Sequence, residues 1–350
     1  MKAQKILITG GTGFIGSHTV VSLLEQGYEP VLLDNLCNSD RSVLQGIEAI
    51  TGRAPVLHEI DMRDKAALDA LFSQHPDISA VIHFAALKAV GESVQLPVAY
   101  YYNNLTSLLH LLECMEKYQV PNLIFSSSAT VYGEPDSLPL EEHHPAKAAL
   151  SPYGNTKKIS EDIIRDAAAV NQWFSAVSLR YFNPIGAHES GEIGELPRGV
   201  PNNLMPFITQ TAAGIREELL VFGDDYDTPD GTAIRDYIHV VDLAEAHVKA
   251  LERLLGKRQK SNYEIFNLGA GKGYSVLEVI QSFEKTSGIK LPYRIVARRS
   301  GDVPQMYAST HKANQELGWK TLRDLDEMTA SAWNWEQRVR GMSDRNRNLR

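Results

Sequence analysis

The apolar run Lys5–Thr9 passes straight into Gly10-Gly11-Thr12-Gly13-Phe14-Ile15-Gly16, and an amphipathic segment, Ser17 to Gln26, follows. Few folds accommodate that order. Gly11, Gly13 and Gly16 fit the G-x-G-x-x-G spacing, and Gly10, Gly13 and Gly16 fit a wider variant. Either set lets backbone amides approach a pyrophosphate at a helix N-terminus, where the helix dipole favours negative charge. A strand before and a helix after make this a dinucleotide-binding loop rather than a tight turn.

The first half keeps the same alternation. Lys5 to Thr9, Pro30 to Asp34, Val56 to Ile60, Ala80 to Phe84, Asn122 to Ser126 and Ser175 to Arg180 read as strands. Helical patterns lie between them at about 16–26, 40–50, 65–74, 98–119 and 153–170. The pattern predicts an α/β fold, a doubly wound parallel sheet of the Rossmann type with helices on both faces. Ligands of such a sheet bind at the carboxyl ends of its strands. After about Tyr181 the texture changes, Asn183 to Asn203 being rich in Gly, Pro and Glu, with helices expected near 204–214, 241–255, 275–287 and 324–338. The expected organisation is an NAD-binding domain over 1–181, a smaller C-terminal α/β substrate domain over 182–342 and a polar tail at 343–350. That boundary leaves room for segments of the second part to return to the first sheet.

Asp34 closes the second strand about twenty residues beyond the glycines, where a carboxylate can accept the ribose hydroxyls of a dinucleotide. It would repel a 2′-phosphate, so NAD is favoured over NADP even with Arg41 nearby. Asp61 closes the third strand and suits either the adenine amino group or a helix cap before Lys65.

Tyr153 and Lys157 stand four apart in Ser-Pro-Tyr-Gly-Asn-Thr-Lys, so a helix after Pro152 puts both on one face. That pairing suggests oxidation of a carbinol. Bringing a phenol from pKa ~10 to ~7 needs about 4 kcal/mol of preferential phenolate stabilisation. One cation at ~4 Å supplies about that at an effective dielectric near 20.

A net charge of −8 argues against a general nucleic-acid partner. Cys37 and Cys114 are too few for a disulfide framework and lack metal-site spacing. With no run near the ~18 apolar residues of a membrane helix and no signal-peptide pattern, a cytoplasmic protein without a metal is expected.

The glycine loop, Asp34, Ser128 and Tyr153-x-x-x-Lys157 resemble the extended short-chain dehydrogenase/reductase family. Longer strings are similar to its UDP-hexose 4-epimerase branch: Leu33 to Ser39, His83 to Ser93, Phe125 to Gly133, Arg180 to Pro184 and Arg235 to His239. The similarity spans roughly residues 5 to 340. It implies inversion at C4 of UDP-glucose or UDP-galactose through a transient 4-keto sugar. Tyr153 would be the base, Ser128 would relay the proton, and Lys157 would hold the nicotinamide ribose.

The same resemblance places Phe14, Ile15, Asn35, Asn38, Ser39, Met62, Phe84, Ala85, Ala86, Lys88, Asn103 and Phe182 around NAD. Phe14 and Ala86 depart from the Tyr and Gly often found there. Around the nucleotide sugar it places Lys88, Asn183, Asn203, Leu204, Leu220, Val221, Phe222, Arg235, Arg299 and Asp302. Guanidinium groups suit a diphosphate because they offer forked donors. It also implies a homodimer through helices at about 98–119 and 153–170. A sugar-nucleotide 4,6-dehydratase, the competing reaction, carries carboxylates where Ala129 and Thr130 stand. Met306, intermediate in size, leaves UDP-N-acetylhexosamine 4-epimerisation as the other alternative. Without the resemblance Arg298 and Arg299 read as a solvated basic pair. His83 and His239 read as packed histidines, His143 and His144 as solvent-facing, Asp224, Asp225, Asp227 and Asp230 as a solvated loop, and Trp333 and Trp335 as packing residues.

Overall fold

In the computed structural model, residues 3–299 and 302–342 are described, and the polar tail expected at 343–350 lies outside them. The first half comprises β1 (Lys5–Thr9), α1 (Phe14–Glu25), β2 (Glu29–Asp34), α2 (Val43–Thr51), β3 (Val56–Glu59), α3 (Lys65–Gln74), β4 (Ile78–His83), α4 (Val90–Gln95), α5 (Pro97–Lys117), β5 (Asn122–Ser128), α6 (Pro152–Val170) and β6 (Ser175–Tyr181). The second comprises β7 (Asn183–Ile185), α7 (Leu204–Ala212), β8 (Leu219–Phe222), β9 (Ile234–His239), α8 (Val240–Leu255), β10 (Tyr263–Leu268), β11 (Gly273–Ser275), α9 (Val276–Ser287), β12 (Tyr293–Val296), β13 (Gln305–Met306) and α10 (Leu325–Val339).

Seven strands form one parallel sheet in the order β10-β6-β5-β4-β1-β2-β3. The inner strands read as continuous apolar runs because helices cover both their faces. One face packs on α1, α2 and α8, through residues such as Val20, Ile47 and Leu251. The other packs on α3, α5 and α6, through Phe72, Leu111 and Ile164. The six strands read from the sequence are β1 to β6, within two residues or so at their ends. The seventh is β10, which pairs with β6 along its whole length.

Helix α1 departs from the amphipathic expectation. Gly16 to Leu24 are all buried, since α8 lies across the side that would otherwise face water. The remaining second-half elements build a smaller layer, with β9 at its centre between β7, β11 and β13, and β8 paired to β12. Its core joins Ile208, Val221, Phe283 and Trp333 from α7, β8, α9 and α10. Capping boxes at Ser275/Glu278 and Asp324/Glu327 set the starts of α9 and α10.

Arg253 of α8 fastens β10 to its surroundings. Its guanidinium donates to both oxygens of Glu264, at 2.6 and 2.9 Å, and to Glu316 at 3.1 Å, in a buried setting. Removing one partner of such a pair leaves an uncompensated buried charge. Arg253→Ala is therefore expected to destabilise the fold by about 3–5 kcal/mol, read as a lower urea midpoint. An unchanged midpoint would show that the pair contributes nothing net.

Candidate active site

The glycine loop follows β1 and Ser128 ends β5, both at the carboxyl edge of the large sheet. Gly10 has φ +71°, and a Cβ on it would lie 2.8 Å from the amide nitrogen of Ala85. A Cβ on Gly16 would lie 2.2 Å from the Gly10 carbonyl oxygen. Gly13 is the N-cap of α1 with no side-chain cap, so the first-turn amides of Phe14, Ile15 and Gly16 lack intrahelical acceptors. The result is an anion cradle that side chains cannot fill.

Asp34 sits buried beside it and accepts from the Thr12 amide (3.2 Å), the Leu36 amide (2.9 Å) and the Ser39 hydroxyl (3.1 Å). A carboxylate has about four acceptor positions, so room for a ribose hydroxyl remains. Arg41 is engaged elsewhere, 2.5 Å from Glu59. Asp61 does not cap a helix; Asp64 caps α3. Asp61 instead takes a forked pair of bonds from Arg63, at 2.9 and 2.6 Å, and one from Asn35 at 3.2 Å. The Arg63 hydrogen bonds hold its carboxyl well below the usual range. Asn38 and Cys37 follow Asn35 in the loop after β2, which Arg198 clasps by donating to the Ser39 carbonyl at 2.5 Å. Met62 is buried and its carbonyl accepts from His110, while Phe84 packs tilted against His247 with ring centres 4.7 Å apart. Ala85 donates to the Thr9 hydroxyl at 3.3 Å, and Asn103 donates to Asn104, which holds Leu87 just after Ala86.

The Ser151 hydroxyl caps α6 and Pro152 fills its first turn, so Tyr153 and Lys157 share a face as the spacing predicts. Their contact differs from the expected one. The Lys157 ammonium is 6.0 Å from the Tyr153 ring centre and donates to the Ser126 carbonyl at 2.6 Å. Burial pushes Tyr153 up to about 12, against a hydrogen bond from Ser128 that lowers it. Burial pushes Lys157 down to about 7, against the Glu161 carboxylate that raises it. Burial thus disfavours the phenolate at this position. Ser128 also accepts from the Thr130 amide and hydroxyl, at 3.2 and 3.0 Å.

In the smaller layer Arg235 of β9 pairs with Asp302, and Arg299 stacks on Phe222 of β8 at 3.9 Å. Arg298 is not merely solvated: it lies 4.1 Å over Tyr226 and donates to Asp225 at 2.7 Å. Leu220 and Val221 belong to β8, with the Val221 side chain turned into the core. Asn183 opens β7, and Phe182 packs with Tyr132 and Met306. Asn203 and Leu204 start α7; Asn203 donates to Glu195 at 2.7 Å, and Lys88 stands 3.5 Å from the same carboxylate.

His83 is buried and bonded to Thr9, and His239 caps α8 while meeting Ser331. His143 is exposed, whereas His144 accepts from the Glu141 amide. Asp230 accepts from Thr232 and Ser275. Trp333 meets Phe283 edge-on in the core, and Trp335 donates to the Glu195 carbonyl. Sequence reading overlooked Arg63, Glu161, Glu195 and Arg198. Glu161 alone carried a signal, standing four residues beyond Lys157 on the same helical face.

The family model described as GDP-mannose 4,6 dehydratase matches residues 7–332. A UDP-glucose 4-epimerase from Yersinia pestis is 54% identical over 333 residues, covering 95% of this chain and 97% of that protein. The crystal structure of UDP-glucose 4-epimerase from Bifidobacterium longum in complex with NAD+ and UDP is 48% identical, with TM-score 0.91 over 95% of this chain and 98% of that one. That of the enzyme from Stenotrophomonas maltophila, with bound NAD and formylated UDP-arabinopyranose, is 50% identical, with TM-score 0.92 over 97% and 99%.

Proposed function

We infer the reaction from one premise, that the chain belongs to the UDP-glucose 4-epimerase family: it is an NAD-dependent isomerase that interconverts UDP-glucose and UDP-galactose through a 4-keto sugar. The observation that carries this reading is the meeting of Tyr153, Ser128 and Lys157 at the carboxyl end of β5.

The glycine cradle and Asp34 suit NAD, which the first turn of α1, Asp34, Lys157 and Phe182 would hold. When bound, NAD supplies the acceptor and donor of the C4 hydride. Tyr153 takes the proton of the 4-hydroxyl, and Ser128 holds the same oxygen and relays that proton. Arg235 and Arg299 grip the diphosphate, about which the keto sugar turns to present its other face. Tyr153 then returns the proton, and no net oxidation results.

The family model bears the name of a dehydratase, but elimination needs further acid and base groups. Beside Ser128 stand Ala129, which is buried, and Thr130, whose hydroxyl is spent on Ser128. Epimerisation without loss of water follows. The protein purified without added cofactor is expected to release NAD on denaturation and to convert UDP-galactose to UDP-glucose. A 4-keto-6-deoxy product would support the dehydratase instead. UDP-glucose and UDP-galactose are the main pair in this reading, and comparable turnover of UDP-N-acetylglucosamine would overturn that part.

Val98, Tyr102 and Leu109 leave an apolar strip exposed on α5, which packs beside α6. It supports a homodimer through these helices, and a monomeric mass in solution would refute it. Among the described residues no helix is long and apolar enough to cross a membrane; the place we infer for the enzyme is the cytoplasm.

A further inference from the structure

Tyr153, Lys157 and Glu161 stand on successive turns of one face of α6, and each meets one of the three serines that end β5. Ser128 bonds Tyr153, the Ser126 carbonyl takes the Lys157 ammonium at 2.6 Å, and the Ser127 hydroxyl donates to Glu161 at 2.5 Å. The Glu161 carboxylate, only 4% exposed, is also held by Arg180 of β6 through a forked pair of bonds at 2.9 and 2.6 Å. Arg180 lies 4.7 Å over the Tyr132 ring, whose hydroxyl donates to Asn267 at 2.7 Å. The next residue, Tyr181, bonds the Ser126 hydroxyl.

We propose that Glu161 is a positioning residue for the epimerisation: clamped by Arg180 and Ser127, its carboxylate sets a negative charge one helical turn beyond Lys157 and aligns the serines against Tyr153 and Lys157. The proposal deepens the reading given above and rests on it. The charged and titratable groups around this point are His83 from β4, Tyr100 from α5, Tyr132 from the turn after β5, Arg180 and Tyr181 from β6, Tyr263 from β10, and Tyr153 and Glu161 on α6 itself. Glu92 faces Tyr100 and Glu142 lies beside Tyr132, while Glu161 is the carboxylate that bears on Lys157, its charge opposing the loss of the proton that burial favours. A merely structural ion pair would join β6 to α6 without touching the titration of Lys157.

The test is the pH profile of kcat for UDP-galactose in Glu161→Gln. A carboxylate favours the ammonium, so its removal lets Lys157 lose its proton at lower pH. The alkaline limb is expected to move down by about one pH unit, with kcat reduced about tenfold and KM nearly unchanged. Because the amide leaves Arg180 without its counter-charge, a Glu161→Gln/Arg180→Met double variant is measured alongside. Removing a buried pair whole is often neutral for stability, so the double variant is expected to fold with its alkaline limb still lowered. A folded single or double variant with the wild-type limb would overturn the proposal. A wild-type protein that fails to interconvert the sugars would instead remove the reaction on which it stands.

Discussion

Tyr153→Phe is expected to lower UDP-galactose to UDP-glucose conversion by about 10²–10⁴-fold, the contribution typical of a positioned acid–base group. NAD content and melting temperature should stay close to wild type, because the hydroxyl is bonded to Ser128 rather than to any framework residue. Burial places this phenol near 12, so bringing it to neutrality requires about 7 kcal/mol. Lys157 is already part of that setting with its ammonium on the Ser126 carbonyl, so in the proposed reading the stabilisation would come with a bound oxidised nicotinamide. Wild-type turnover in the variant would sink the mechanism.

Gly16→Val is expected to give a protein that releases almost no NAD on denaturation and is correspondingly inactive at any substrate concentration. The first carbon of the new side chain would stand 2.2 Å from the Gly10 carbonyl oxygen, against backbone that cannot yield as a flexible side chain would. Relieving that clash opens the turn and with it the amide cradle. Overpacking of this kind also costs about 1–3 kcal/mol of stability. Gly91→Ala is the control, since a Cβ there meets nothing within 4 Å. Equal NAD content in both variants would show that the cradle is not where the pyrophosphate binds.

Much of this was legible in the chain because β1, β2 and β4 to β6 are apolar runs buried on both faces, separated by helices of ordinary length. The edge strand β3 is partly exposed and shows by its place in the alternation. The six-residue α4 was too short to show a period. β7, β8 and β9 find partners far along the chain, and their strand character comes from those pairings more than from composition. At the site, spacing disclosed the common face of Tyr153 and Lys157 but not where the ammonium points. The Ser126 carbonyl captures it, a backbone group that no side-chain pattern records. Arg63 and Glu195 were invisible for a related reason: each matters through a partner, Asp61 or Lys88 and Asn203, brought to it by the fold.

The pairing of β10 with β6 also bears on how the molecule is made. A nascent chain that has emerged only as far as Asn262 already contains the glycine loop, Asp34, Ser128, Tyr153 and Lys157. Its sheet nevertheless ends at β6, whose outer backbone groups stay unpaired and offer a template for wrong partners. Synthesis at about 5–20 residues per second leaves that edge open for seconds before β10 can close it. A truncation that spares every catalytic motif but stops short of Tyr263 is thus a recipe for aggregation, and chaperone demand falls on the interval between the two strands.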